Sequence, residues 1–388
     1  MRAGLAAMAA GLALAGCGSS SSHPAISVTP RAGLIDAPPR IEVSGVDDSA
    51  VVRASTVDGQ RRRWTSTTRV ADLRRDPTRP LWTLAGARQP FLPPPSGFVV
   101  RLDLDVNGRT VAQTTIARRW TSAGERRESV RGGLYGELFD PPGSGRHAAA
   151  LVIGGSDGGL TTGGEAALLA AHGFPALALA YFGAPGLPRE LKDIPLEYFA
   201  SALRRLGAQP DVDPRRIVVV GVSRGGEAAL LIGATYPRLV HGVVGLVPSN
   251  VVNPSLNGRS AAWTLAGRPV PHVRAEDYRD PDPVRTPDAV MRAERVAGPI
   301  LTASGGLDEL WPSYDYTATL HERLAAHRFA YPHRDLRFES AGHGLGAAIP
   351  YLPTATDRRL GGSAAADEAA KAALWPRILG FIGGLRGG

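Results

Sequence analysis

Ile217-Val218-Val219-Val220-Gly221-Val222-Ser223-Arg224-Gly225-Gly226-Glu227 is the stretch whose reading decides the fold. An apolar, β-branched run forms a strand. A glycine turn follows at once, and then a helix to about residue 236. Such a turn holds Ser223 in a strained backbone with its hydroxyl exposed. Gly221 and Gly225 let strand and helix approach closely. The amide of Arg224, at the helix N-terminus, would face a developing oxyanion. Ser223 is therefore the candidate nucleophile.

Outward from this turn, strands and helices alternate. Residues 134–139, 148–153, 176–181, 240–247, 300–304 and 336–340 read as strands. Residues 164–172, 196–206 and 364–384 read as helices. Alternation of this kind predicts an α/β domain over 132–388, with a mainly parallel sheet covered on both faces. Residues 248–287 interrupt it with a long, Pro-rich insertion containing Trp263, expected to lie over the site.

A serine hydroxyl is a weak nucleophile near neutral pH and needs a base. His343, in Ala341-Gly342-His343-Gly344, follows the last predicted strand, where a nucleophile–acid–histidine order places the base. His321, His327 and His333, in or beside the preceding helix, read as surface residues. The histidine needs a carboxylate to fix its tautomer. Asp308, between a strand and a helix, is the candidate, with Glu309 and Asp315 as alternatives. Gly154-Gly155-Ser156-Asp157-Gly158 also has the GxSxG form. It follows an earlier strand, so the backbone of Gly155 and Ser156 is assigned to the oxyanion hole and not to nucleophilic attack. No HExxH, phosphate-binding loop or well-placed dinucleotide fingerprint occurs, so neither a metal nor a cofactor is expected.

The first third reads differently. Residues 41–45, 51–56 and 98–106 alternate apolar and polar, with turn signals such as Asn107-Gly108 between them. This predicts a β-sandwich over 25–122, with the domain boundary in the charged stretch 118–131. The single cysteine, Cys17, ends an Ala/Leu-rich segment in Leu14-Ala15-Gly16-Cys17. Residues 1–17 read as a signal peptide with a lipobox, and the Gly/Ser run to residue 24 as a tether. The expected location is the bacterial cell envelope, through a lipid anchor at Cys17. The net charge of +8 comes almost wholly from scattered Arg. There is no basic stripe with interleaved aromatics, so nucleic acid is not an expected partner.

The run His172-Gly173-Phe174-Pro175-Ala176-Leu177-Ala178-Leu179-Ala180-Tyr181-Phe182-Gly183, the continuation through Leu187-Pro188 to Pro195-Leu196-Glu197-Tyr198-Phe199, and the elbow with Gly226-Glu227 carry a resemblance. They resemble the acyl-CoA thioesterases and bile acid-CoA:amino acid N-acyltransferases, as do Ser260–Thr264, Gly267–Pro271 and Trp64-Thr65-Ser66. The resemblance implies an α/β-hydrolase domain preceded by an Ig-like sandwich, with Ser223, Asp308 and His343 at the triad positions. It implies a small acyl thioester or ester as substrate, with coenzyme A part of the substrate and not a cofactor. Arg224, which stands where the family usually has Lys, is a candidate to meet phosphates, with Arg259 and Arg268. Conjugating members carry a Cys nucleophile. Serine here favours hydrolysis over transfer. An envelope acyltransferase or a general carboxylesterase is the alternative, and a non-catalytic binding lipoprotein comes third.

Overall fold

The computed structural model describes residues 23–86, 91–354 and 357–386. The expected signal segment, Cys17 and most of the tether lie outside the described residues. The chain opens with β1 (Ala25–Thr29), β2 (Ala32–Leu34), β3 (Arg40–Ser44), β4 (Val51–Val57) and β5 (Arg63–Arg69). Two short helices, α1 (Val70–Arg75) and α2 (Arg79–Trp82), precede β6 (Phe98–Val106) and β7 (Arg109–Arg119). β1 and β3 pair as one small sheet, and the other strands form a second in the order β2-β7-β6-β4-β5. Alternation places Val52, Ala54, Val100, Leu102 and Leu104 inward, where they share a core with Ile26, Val28 and Ile41. The two helices depart from the all-β reading. They bury Val70, Leu73, Leu81 and Trp82, but each is too short to impose a helical period on the sequence.

The second part contains β8 (Arg126–Val130), β9 (Tyr135–Asp140), β10 (His147–Ile153), α3 (Gly163–Ala171), β11 (Ala176–Ala180), β12 (Ile194–Pro195) and α4 (Leu196–Gly207). It continues with β13 (Val212–Val222), α5 (Arg224–Thr235), β14 (Gly242–Leu246), β15 (Trp263–Leu265) and β16 (Arg268–Pro269). It ends with β17 (Ile300–Gly305), α6 (Ser313–Ala326), β18 (His333–Phe338) and α7 (Ala364–Gly383). Eight strands make one sheet in the order β18-β17-β14-β13-β10-β11-β9-β8. From β18 to β11 neighbours run parallel, and β9 and β8 close the sheet with antiparallel pairs. β10 shows why both faces are covered. Ala148, Ala150 and Val152 pack in a core with α3, α7 and the sandwich, whereas Ala149, Leu151 and Ile153 pack with α4, α5 and α6. This is the mainly parallel sheet covered on both faces that the alternation predicts, and the α/β-hydrolase arrangement that the resemblance implies.

Four details differ from the sequence reading. β8 lies inside the stretch taken as a boundary, so the large sheet begins at residue 126 and not at 132. Only its Val130 is buried, so this charged edge strand carries no alternation to read. β15 and β16, within the insertion, join β12 from outside it in a small sheet and are too short to announce themselves. β18 starts at His333, three residues before the expected strand. Finally, His321 and His333 are not surface residues of a helix. Their Nδ1 atoms lie 2.8 Å apart, and His321 Nε2 lies 2.8 Å from Thr302 Oγ1. Burial lowers the His321 imidazole to about 4. His327, at the end of α6, is exposed as expected. Among the described residues no helix is long and apolar enough to cross a membrane.

Candidate active site

The parallel strands end along one edge, and β13 delivers Ser223 there. Ser223 has φ +57° and ψ −121°, a left-handed conformation that costs a non-glycine residue energy. Its N–H donates to Leu246 O at 2.8 Å, and its carbonyl accepts from Glu227 N at 3.0 Å, so both sides of the turn are pinned. A Cβ on Gly221 would stand 2.0 Å from Gly225 O, and one on Gly225 would stand 2.3 Å from Gly154 O. The GxSxG spacing is thus a packing requirement at this crossing. The Ser223 hydroxyl does not cap α5. Arg224 opens α5, so its amide belongs to the first turn, whose N–H groups lack partners inside the helix.

The loop after β10 lies against the elbow. A Cβ added to Gly155 would be 3.2 Å from Ser223 Cβ and 3.7 Å from its Oγ. The Tyr181 hydroxyl lies 2.9 Å from both Gly154 O and Gly155 O, so it donates to these carbonyls. Across a trans peptide the N–H points opposite to the C=O. Tyr181 therefore turns the amides of Gly155 and Ser156 away from itself. Burial raises the Tyr181 hydroxyl far above its ordinary value and keeps it a donor.

Asp308 and His343 are brought together. His343 Nδ1 stands 2.8 Å from Asp308 Oδ2. The same oxygen accepts Ser313 Oγ–H at 2.6 Å, and Oδ1 accepts the amides of Leu310 (3.0 Å) and Trp311 (3.2 Å). The Asp308 side chain is 1% exposed and that of His343 8%. The Trp311 ring lies edge-on to the imidazole at 6.0 Å, and its Nε1 donates to Val247 O. The alternatives Glu309 and Asp315 are exposed and form no hydrogen bond with His343. A Cβ on Gly346 would meet Val222 Cγ2 at 2.8 Å, so the turn bearing His343 packs on the residue before Ser223. Among the described residues Ser223 Oγ forms no hydrogen bond; such contacts commonly tighten only when substrate binds.

Beneath the elbow lies a buried polar network. Glu227 accepts Trp263 Nε1–H at 2.7 Å and the Asn253 amide groups at 2.9 and 3.2 Å. Arg224 Nη2 lies 3.4 Å from Glu227 Oε1 and donates to Asn253 O at 3.0 Å. Burial raises the Glu227 carboxyl, against the lowering effect of Arg224, Trp263 and Asn253. Its side chain only 4% exposed, Arg224 is committed here and does not face a phosphate; Arg259 and Arg268 remain exposed. Sequence reading singled out Ser223, Asp308 and His343. It missed the roles of Tyr181, Ser313 and Asn253, which act through contacts that no local spacing announces. Among the described residues no three His, Cys, Asp or Glu side chains form a metal-binding group.

Comparison with known proteins bears on this geometry. The family described as BAAT / Acyl-CoA thioester hydrolase C terminal matches residues 194–384. Mouse (Mus musculus) acyl-coenzyme A thioesterase 6 is 31% identical over 335 residues, covering 79% of this chain and 76% of the relative. Rat (Rattus norvegicus) acyl-coenzyme A amino acid N-acyltransferase 2 is 32% identical over 248 residues, covering 61% of this chain and 58% of the relative. Among solved structures, esterase Est22 aligns with a TM-score of 0.43 at 17% identity, covering 68% of this chain and 82% of that one.

Proposed function

The chain belongs to the family of the acyl-CoA thioesterases and bile acid-CoA:amino acid N-acyltransferases, and we propose that within it the protein is a serine acyl hydrolase that cleaves an acyl thioester to free acid and thiol. At the coarser level it is a hydrolase acting on thioester or ester bonds. One observation carries the finer reading. The Asp308–His343 pair is buried at 2.8 Å, in a turn seated on the residue that precedes the strained Ser223.

In this mechanism Asp308 accepts Nδ1–H, which leaves His343 Nε2 to work as the base. Ser223 Oγ attacks the acyl carbonyl and its proton passes to Nε2. The amides of Arg224, Gly155 and Ser156 hold the oxyanion. The carbon–sulfur bond breaks, and the imidazolium gives its proton to the departing thiol. Water, deprotonated by Nε2, then attacks the acyl-serine; the bond from the acyl carbon to Ser223 Oγ breaks, the imidazolium returns its proton to Oγ, and the free acid is released. A serine ester passes its acyl group readily to water, which supports hydrolysis over transfer. No separate cofactor enters these steps, since coenzyme A would be part of the substrate.

We further propose export and lipid anchoring at Cys17, supported by the chain's one cysteine falling at the lipobox position. Because coenzyme A is cytoplasmic, the leaving group in the envelope would then be another thiol or an alcohol. The test follows thiol release from an acyl-CoA chain-length series, with Ser223→Ala alongside. The expected result is turnover that peaks at one chain length and falls by at least roughly 10³-fold in the variant. Release of aryl alcohols but never of thiol would make the protein a carboxylesterase. Undiminished turnover in Ser223→Ala would remove the serine mechanism.

A further inference from the structure

A second carboxylate lies behind His343, from an element remote in sequence. Asp367 stands in the first turn of α7, which Ser363 caps through Ala366 N. Asp367 is 2% exposed, and its Oδ1 accepts the Gly342 amide at 2.7 Å. Its Oδ2 occupies the space beside Gly344, where an added Cβ would stand 2.4 Å away. A Cβ on Gly342 would itself stand 2.3 Å from Gly361 O. The glycines on either side of His343 are therefore there because α7 and the segment before it press on the histidine's backbone.

We propose that Asp367 is a positioning residue for His343: it clamps the backbone that carries the imidazole and, together with Asp308, favours the imidazolium that forms during acylation. The proposal rests on His343 being the base. The groups facing it come from two elements: Asp308 from the loop after β17, and Asp367 from α7, whose Lys371 acts on Asp367 in turn. Glu368, also on α7, accepts the Tyr351 amide and Thr354 Oγ1–H, while the Lys371 ammonium donates to Thr354 Oγ1 at 3.3 Å. Tyr351 and Asp76 act on Glu368 from further out. Two carboxylates, Asp367 and Glu368, thus act on the Lys371 ammonium, a third, Asp308, pairs with His343, and a positive imidazole offsets the excess negative charge. Burial raises the Asp367 carboxyl, while the Gly342 amide, Lys371 and His343 lower it.

The test compares kcat and KM against pH for an aryl ester in the wild type, Asp367→Asn, Asp367→Ala and Ser223→Ala. Asparagine keeps an oxygen for the Gly342 amide but removes the charge. Its kcat/KM plateau should fall severalfold while the acidic limb moves to lower pH by about half a unit or more, because the imidazolium is less favoured. Alanine removes both functions, and its kcat should fall roughly 10- to 100-fold with KM little changed. An acidic limb that stays in place in Asp367→Asn, in a protein whose turnover still needs Ser223, overturns the role of Asp367 alone. Activity that survives Ser223→Ala overturns the mechanism beneath it. If the alanine variant fails to fold, the asparagine profile decides.

Discussion

Ser223 is held by geometry that was written in its neighbours. Gly221 and Gly225 are fixed by crossings of 2.0 and 2.3 Å that admit no Cβ. For that reason the proposed nucleophile stands out in the sequence, as do His343 and Asp308, the base and acid proposed for it, whose places follow from strand ends. Tyr181 was not legible as a site residue. It reads as the end of a buried strand, and its hydroxyl matters only because the loop of Gly154 and Gly155 folds back over it. Tyr181→Phe should leave two buried carbonyls without their donor and let the Gly155 and Ser156 amides, proposed for the oxyanion hole, drift. Chemical denaturation should show a loss of about 1–3 kcal/mol. Steady-state kinetics should show kcat reduced roughly tenfold or more with KM nearly unchanged, as for a contact felt mainly in the transition state.

The elements repeat this contrast. β10, β14 and the 217–222 part of β13 are apolar runs because both their faces are covered, so they were readable, whereas the polar start of β13 at 212–216 was not. β8 and β18 lie at the sheet edges, where partial exposure blurs the pattern; one was missed and the other displaced by three residues. The insertion was expected over the site. Its Asn253 and Trp263 do reach α5, meeting Glu227 and Arg224 directly below the elbow. This junction makes α5 and the insertion one mechanical unit. Glu227→Ala would strand the Arg224 guanidinium in an apolar setting and leave the Trp263 N–H unpaired. Urea unfolding should register a loss of about 3–5 kcal/mol, the scale for removing one partner of a buried ion pair. Replacement by Gln, which keeps an acceptor for Trp263, should cost less.

At the scale of the whole molecule, the change from alternating strands to alternating strands and helices made the two-part organisation visible in sequence. The docking of the two parts was not visible, because it depends on single side chains. The Trp120 ring closes on Gly164 of α3, where a Cβ would stand 2.7 Å away. Asp36 of the sandwich accepts Trp375 Nε1–H of α7 at 2.7 Å and pairs with His172 at the end of α3. That hydrogen bond raises His172 above the ordinary value of 6.5, against the burial that lowers it. The latch therefore contributes fully below about pH 6.5 and is lost as pH rises through the higher folded-state value. Thermal melts from pH 5 to 9 should show stability falling over that interval in the wild type, and a flatter dependence in His172→Gln. In the proposed mechanism one serine, at residue 223, carries the chemistry. Labelling the folded protein with a fluorophosphonate, followed by peptide mapping, tests it most directly. The expected result is a single adduct on Ser223 and its loss in His343→Ala. An adduct on Ser156, or none on a protein that still turns over ester, would contradict it.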